Sequence, residues 1–122
     1  MAGLIQPLRV NNSLRVVVAV PCFNTANSIS DVIRKTKQYV EEVVVIDDGS
    51  TDMTAEVARA AGATVICHKK NKGKGAAIKT AISKVDADVI IFIDGDGKEI
   101  FRHEGFFPKE EILPILAQMG VN

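Results

Sequence analysis

The chain has 122 residues, of which 47% are hydrophobic and 25% are charged, so it can bury a core of its own and is expected to form a single domain over residues 1–122. Its 15 basic and 15 acidic side chains give a formal net charge of zero, which argues against a nucleic-acid partner. No apolar run approaches the roughly 18 residues that a transmembrane segment requires. The expected location is therefore the cytoplasm.

Residues 1–13 mix glycine, proline and asparagine without a clear period, and they are expected to form a loosely attached leader. The two cysteines, Cys22 and Cys67, lie in or just beyond apolar runs. Reduced thiols in the core are the favoured interpretation, and a disulfide or a metal pair is the alternative.

Four apolar segments rich in β-branched residues predict buried strands, and three segments between them predict helices. The predicted strands cover residues 14–20, 42–46, 64–67 and 89–93. The predicted helices cover residues 28–39, 51–61 and 76–84. Pro21 is expected to end the first strand, Ser28 and either Ser50 or Thr51 are expected to cap helices, and Gly62 is expected to end the second helix.

This alternation of strands and helices predicts an α/β fold with a doubly wound, mainly parallel sheet and right-handed crossovers. If the fourth strand returns beside the first, the strand order is 3-2-1-4 and the switch point lies between strands one and four. Ligands bind at such a point, beyond the carboxyl ends of the strands. The side chains predicted to line this crevice are Phe23, Asn24, Asp48, Asp94 and Asp96.

Asp94 and Asp96 follow the apolar run at residues 89–93, and Gly95 and Gly97 leave room for a ligand to approach the backbone. Carboxylates at a strand end suit a hard divalent cation, Mg²⁺ or Mn²⁺, which usually shares its ligands with substrate phosphates. A polar turn without a metal is the alternative interpretation.

Asp47 and Asp48 end the second strand, and they must point to opposite faces if the strand continues through them. One is expected to accept backbone N–H groups, and Asp48 is expected to face the ligand and accept hydrogen bonds from a base or ribose. Ordinary turn chemistry is the alternative.

The lysine-rich loop at residues 68–75 could bind phosphate, because Gly73 and Gly75 let backbone N–H groups approach an anion at a helix start. A solvated surface loop is the alternative. The spacing matches neither a P-loop nor a dinucleotide-binding fingerprint. His68 and His103 lack a second ligand at zinc spacing and are expected to be structural or surface residues.

Four motifs together resemble the donor-binding, N-terminal half of family 2 glycosyltransferases, and especially the polyprenyl- and dolichyl-phosphate sugar transferases. They are PCFN at residues 21–24, VIDDGSTD at 45–52, NKGKGAA at 71–77 and DGDG at 94–97. The resemblance covers residues 15–97. It implies the nucleotide-binding half of a GT-A fold, with a UDP- or GDP-linked sugar as donor.

The resemblance also implies roles for individual residues. It implies that the base and ribose contact Pro21, Cys22, Phe23, Asn24 and Asp48, and that Lys74 lies near the nucleotide. Asp94 and Asp96 match the D-x-D motif, which implies contacts with ribose or sugar hydroxyls and with a Mg²⁺ or Mn²⁺ that bridges the diphosphate. The implied reaction is inverting transfer of the sugar to an acceptor such as a polyprenyl phosphate, which would place the protein peripherally at a membrane.

Some features depart from the family. Thr25 stands where a glutamate is common, and residues 98–106 intervene before an expected helix at 108–118. The half that carries the acceptor site and any catalytic base is expected to be absent, so no catalytic residue is assigned. The alternative function is a truncated or split, non-catalytic module that binds nucleotide weakly or contacts a protein partner or a second copy. A phospho-receiver domain is disfavoured, because the paired acids follow the second strand rather than the first.

Overall fold

A computed structural model describes residues 14–94 and, for strand geometry alone, residues 99–104. The strands are Val16–Cys22 (β1), Glu42–Asp47 (β2), Thr64–Cys67 (β3), Val89–Ile93 (β4) and Glu99–Glu104 (β5). The helices are Ile29–Thr36 (α1), Thr54–Ala60 (α2) and Lys74–Lys84 (α3). The leader at 1–13 and the helix expected at 108–118 lie outside the described residues.

The strands form one sheet in the order β3-β2-β1-β4-β5. The first four strands are parallel, which confirms the predicted order 3-2-1-4 and the α/β fold class. β5 is an addition that the sequence did not predict, and it pairs antiparallel with β4, with His103 opposite Ile90. Residues 98–106, which were expected only to separate the D-x-D motif from a helix, thus contain a strand that extends the sheet beside β4.

The prediction that Pro21 ends the first strand is wrong, since β1 continues to Cys22. The Asp48 N–H donates to the Cys22 carbonyl at 2.9 Å, so the polar backbone groups of Cys22 face β2. Those of its neighbour Pro21 therefore face the β4 side, where the described pairing ends at Ala19 opposite Phe92. Proline has no N–H to donate on that side, so the ladder with β4 ends before Pro21, whereas the pairing with β2 continues through Cys22.

The core has two layers, one on each face of the sheet. Helices α1 and α2 cover one face, and α3 covers the other. The first layer includes Val18, Val20, Val45, Ile91, Ile93, Ile29, Ile33 and Ala58. The second includes Val17, Ala19, Ile46, Ile90, Phe92, Ala77 and Ala81. The central strands are therefore apolar on both faces, as expected for a parallel sheet covered by helices.

The helix ends differ from the predictions for reasons found in the loops. Ser28 makes no side-chain cap, because the chain enters α1 through a turn in which the Ser28 and Ile29 N–H groups donate to the Thr25 carbonyl. α2 begins at Thr54, whose N–H donates to Asp52 Oδ1 at 2.9 Å. Gly62 follows α2 with a φ of 101°, which confirms its predicted role.

Within residues 14–94 and 99–104, the structure has no helix with the length and apolar character needed to cross a membrane.

Candidate functional site

A pocket of about 170 Å³ opens beyond the carboxyl ends of β1 and β2, against the first turns of α3. Its lining residues are Pro21, Cys22, Phe23, Asp48, Asn71, Gly73, Lys74 and Ala77. This is the edge of a parallel sheet at which ligands bind. Five of the residues predicted for the donor site thus surround one pocket: Pro21, Cys22, Phe23, Asp48 and Lys74.

The alternation of side chains along each strand explains why Pro21 and Asp48 meet. Pro21 continues the β1 positions Val17 and Ala19, which face α3, and Asp48 continues the β2 positions Val44 and Ile46 on the same face. The α3 helix begins at Lys74, so its first turn closes the pocket from that side. Sheet parity and the start of α3 therefore decide which residues can share a ligand.

Asp94 follows β4 directly and is partly exposed. It continues the alternation of Ile90 and Phe92 on the α3 face. Ala19 pairs with Phe92, so two residues farther along the strands Asp94 stands level with Pro21. Asp96, its predicted partner in metal binding, lies outside the described residues.

The carboxylate of Asp48 is 6% exposed and accepts three hydrogen bonds. Oδ1 accepts from His68 Nδ1 and from the Lys72 N–H, each at 2.8 Å, and Oδ2 accepts from the Gly73 N–H at 2.8 Å. Asp47 points to the other face and accepts the Ser50 N–H at 3.0 Å. Asp47 therefore has the backbone role predicted for one of the pair, whereas Asp48 both lines the pocket and anchors the lysine-rich loop.

These contacts set the ionisation of Asp48. Burial raises the pKa of its carboxyl group, but the hydrogen bond from His68 and those from the Lys72 and Gly73 N–H groups together outweigh burial and hold the pKa below the ordinary aspartate value. Asp48 is therefore an anion at neutral pH, with its charge compensated by fixed donors.

The same hydrogen bonds change the interpretation of the lysine-rich loop. In the phosphate-binding alternative the Gly73 N–H would approach an anion, but it donates to Asp48, as does the Lys72 N–H. Those two groups are therefore occupied within the fold. The side chain of Lys74 remains exposed at the pocket wall and supplies a positive charge there.

Asn24 does not line the pocket, although Phe23 beside it does and is 44% exposed. Asn24 has a left-handed φ of 55°, and its Oδ1 accepts the N–H groups of Thr51 at 2.8 Å and Asp52 at 3.3 Å. Its own N–H donates to Ser50 Oγ at 2.8 Å. Asn24 thus joins the loop after β1 to the loop after β2, and these contacts also explain why Ser50 and Thr51 do not cap α2.

Two lining residues, Asn71 and Ala77, were not predicted for the site, and a third, Gly73, was expected only as a backbone group that could approach a phosphate. All three lie in the NKGKGAA motif, so the motif was the signal, but only its Lys74 was assigned. His68 was predicted to be structural or on the surface, and its side chain is 7% exposed with partners at both ring nitrogens. A structural role is therefore correct, and nothing in the sequence indicated its contact with Asp48.

The two cysteines differ in environment. Both are free thiols, as predicted, but only Cys22 is buried. Burial raises the pKa of the Cys22 thiol to about 11, so this group is neutral at the pocket wall. Cys67 is exposed, and its predicted place in the core is wrong, because it ends the short edge strand β3.

The donor set fits a hard divalent cation in part. Among residues 14–94, no three histidine, cysteine, aspartate or glutamate side chains cluster closely enough to hold a metal by themselves. Asp94 supplies the carboxylate oxygen that Mg²⁺ and Mn²⁺ prefer. Mg²⁺ is usually held by one or two carboxylates together with substrate phosphates, so this end of β4 suits a metal that binds with a diphosphate.

Comparison with known proteins gives relatives for most of the chain. The chain is 42% identical to the protein RfbJ of Shigella flexneri over 88 residues, which cover 70% of this chain and 67% of RfbJ. It is 32% identical over 116 residues to an undecaprenyl-phosphate 4-deoxy-4-formamido-L-arabinose transferase of Salmonella paratyphi B, a match that covers 85% of this chain and 33% of the transferase.

Among solved structures, glucosyl-3-phosphoglycerate synthase of Mycobacterium tuberculosis superposes with a TM-score of 0.64 at 29% identity, covering 70% of this chain and 35% of that enzyme. That structure contains Mn²⁺, uridine diphosphate and glucosyl-3-phosphoglycerate. The chain therefore spans about a third of the transferase and of the synthase. Its sheet matches the GT-A architecture, and residues 17–98, more than half of the sequence, match the family model for glycosyl transferase family 2. The chain belongs to glycosyl transferase family 2.

Proposed function

We propose that the pocket binds the nucleoside part of a UDP- or GDP-linked sugar together with Mg²⁺ or Mn²⁺. The chain then serves as the donor-binding part of an inverting glycosyltransferase whose acceptor is a polyprenyl phosphate or a similar group. The observation that carries this proposal is the pocket itself, where an aromatic side chain and an anchored carboxylate from two loops and a lysine from the start of α3 surround one space.

The three side chains suit different parts of such a ligand. Phe23 is exposed enough to stack on a base, and Lys74 offers a cation to a phosphate. Asp48 Oδ2 accepts one hydrogen bond within the fold, which leaves acceptor capacity for a base N–H or a ribose hydroxyl. A volume of about 170 Å³ is below the roughly 300–1,000 Å³ of sites that enclose a whole small molecule. We therefore expect the base and ribose to enter and the diphosphate to extend towards Asp94.

Asp94, with Asp96 beyond the described residues, would hold the metal. When bound, the metal neutralises the negative charge that develops on the departing nucleoside diphosphate. The mycobacterial synthase supports this assignment, since it was solved with uridine diphosphate and either Mn²⁺ or Mg²⁺.

The acceptor is proposed from its chemistry and from one relative. A phosphate oxygen is already ionised at neutral pH, so it needs no general base, only alignment behind the anomeric carbon. The Salmonella relative is named for undecaprenyl phosphate, which supports an acceptor of this class.

Isothermal titration with UDP and with GDP, in the presence and absence of Mn²⁺, tests the donor site. Phe23→Ala should weaken the bound nucleotide by the roughly 1–3 kcal/mol of a base–aromatic stack, which is about 5- to 150-fold in affinity. Met53→Ala is the matched control, because Met53 is 59% exposed and lies outside the pocket lining. Lys74→Ala should weaken binding, whereas Lys79→Ala, an exposed lysine on the same helix, should not.

Absence of binding to both nucleotides with and without Mn²⁺ would overturn the proposal and favour a non-catalytic interaction module. The metal part of the proposal fails separately if Mn²⁺ leaves the affinity unchanged, or if Asp94→Asn and Asp96→Asn bind as the unaltered chain does.

A further inference from the structure

His68 lies directly after β3, and its buried side chain bridges two elements of the pocket. Nδ1 lies 2.8 Å from Asp48 Oδ1, at the end of β2, and Nε2 lies 2.8 Å from Thr80 Oγ1 on α3. The His68 N–H also donates to the Asp47 carbonyl at 2.8 Å. Both the backbone and the ring of His68 are therefore fixed relative to the sheet.

We propose that His68 is a positioning residue for the nucleotide pocket: it orients the Asp48 carboxylate, which in turn holds the Lys72–Gly73 backbone that forms part of the pocket wall. This inference rests on the proposed function of the pocket. His68 itself does not line the pocket, so its effect on a ligand is indirect.

The hydrogen-bond geometry shows how the ring orients the carboxylate. An ionised carboxylate only accepts hydrogen bonds, so the ring proton that faces Asp48 is on Nδ1. In the neutral ring with this tautomer, Nε2 accepts the hydroxyl proton of Thr80. His68 is the side-chain donor to Asp48 in the described part of the chain, while the other two donors are main-chain N–H groups of the loop that the carboxylate holds.

The consequence for the pocket follows from which oxygen each donor uses. With Oδ1 shared by His68 and Lys72, Oδ2 faces Gly73 and retains capacity for a ligand. Without the ring donor, the carboxylate can turn about its last torsion, since terminal torsions of this kind have broad minima. The Lys72 and Gly73 N–H groups would then lose a fixed acceptor, and the wall that carries Lys74 would loosen.

Three substitutions separate the ring donor from general packing. His68→Asn keeps an N–H near the position of Nδ1 and loses the contact with Thr80. His68→Gln places its amide near the position of Nε2, and His68→Leu fills the space without a polar atom. Hydrogen exchange of the Lys72 and Gly73 amides, followed by NMR on the labelled chain, should stay slow in His68→Asn and become about tenfold faster or more in His68→Gln and His68→Leu.

The affinity for UDP or GDP should be retained where amide exchange stays slow and should fall where exchange becomes faster. We expect a change within about threefold for His68→Asn and a loss of about tenfold for His68→Leu. Thermal unfolding of each variant controls for global stability. If His68 were merely structural, the loss of nucleotide affinity would follow the melting temperature of each variant and not the position of the retained N–H.

The two readouts keep the outcomes distinct. If the unaltered chain binds neither nucleotide, the proposed function fails, and amide exchange still decides whether His68 positions the loop. Equal exchange of the Lys72 and Gly73 amides in His68→Asn and His68→Gln would overturn the positioning role even if nucleotide binds. The comparison of these two amide variants also decides the matter if His68→Leu does not fold.

Discussion

The Asp48 carboxylate is a buried anion, and such a group is stable in a folded protein only when its hydrogen-bonding capacity is largely satisfied. Three donors within 2.8 Å achieve this, and two of them belong to the main chain of the loop after β3. Ionisation of a single residue is thereby linked to the conformation of the pocket wall.

This linkage predicts an acid-dependent loss of stability. The pKa of Asp48 in the folded chain lies below its unfolded value of about 3.9, so its contribution is complete above about pH 4 and is lost as the pH falls through the folded pKa. In urea unfolding, Asp48→Asn should have a free energy of unfolding about 1–3 kcal/mol lower than that of the unaltered chain at pH 7. This loss should shrink towards pH 3.

Asp31→Asn is the control, because Asp31 is an exposed member of a surface ion pair with Arg34 and such pairs contribute about 0–1 kcal/mol. A difference between Asp48→Asn and the unaltered chain that stays constant from pH 7 to pH 3 would contradict the linkage.

Individual site residues were predictable to different degrees. The opposite directions of Asp47 and Asp48 follow from strand alternation, which the sequence shows directly. The donors to Asp48 do not follow from any local pattern, because they come from residues 20 to 25 positions later whose placement depends on how the loop returns to the sheet. The true environment of Asn24 was missed for the same reason, since its partners are Thr51 and Asp52 across the sheet edge.

At the scale of elements, three loops at the carboxyl edge of the sheet form one junction. Asn24 joins the loop after β1 to the loop after β2, as described above. The loop after β2 then packs on the loop after β3 at Gly49, which has a φ of +78° and where a Cβ atom would lie 2.5 Å from the backbone of Lys70 and Asn71. The lysine-rich loop can therefore pack this closely on the loop after β2 because Gly49 has no side chain.

Gly49→Ala should consequently destabilise the chain more than a left-handed backbone alone explains. The positive φ costs about 1–2 kcal/mol for alanine, and the contact with backbone atoms adds a similar amount because those atoms cannot move aside cheaply. Chemical unfolding measures the loss, and nucleotide titration should show weaker binding as well.

Gly62→Ala is the matched control for this substitution. Gly62 also has a positive φ, of +101°, but the atoms nearest to a Cβ there belong to the flexible side chain of Lys37, the closest at 3.4 Å. Equal losses of stability in Gly49→Ala and Gly62→Ala would show that the contact between the two loops contributes nothing.

At the scale of the whole molecule, the sheet contributes side chains from its two faces to two apolar layers, one against α1 and α2 and one against α3. The order of its four parallel strands could be predicted, because continuous β-branched runs alternate with helical segments and right-handed crossovers permit few arrangements. β5 could not, since residues 99–104 (EIFRHE) lack a continuous apolar run and, among the described strands, pair with β4. Its antiparallel direction is consistent with a short return from β4.

Because both layers share the same strands, we expect the described part of the chain to unfold as one cooperative unit. Ile33→Val removes one methylene from a fully buried side chain in the α1 layer and should cost about 0.5–1.5 kcal/mol. Hydrogen exchange of the Ala81 amide, in α3 on the opposite face, should show the same loss of protection free energy. Ile82→Val, the same change at a partly buried position against the α3 layer, should cost less. Unchanged protection of Ala81 in Ile33→Val would mean that the two faces open independently, and that the pocket against α3 is insulated from the α1 layer.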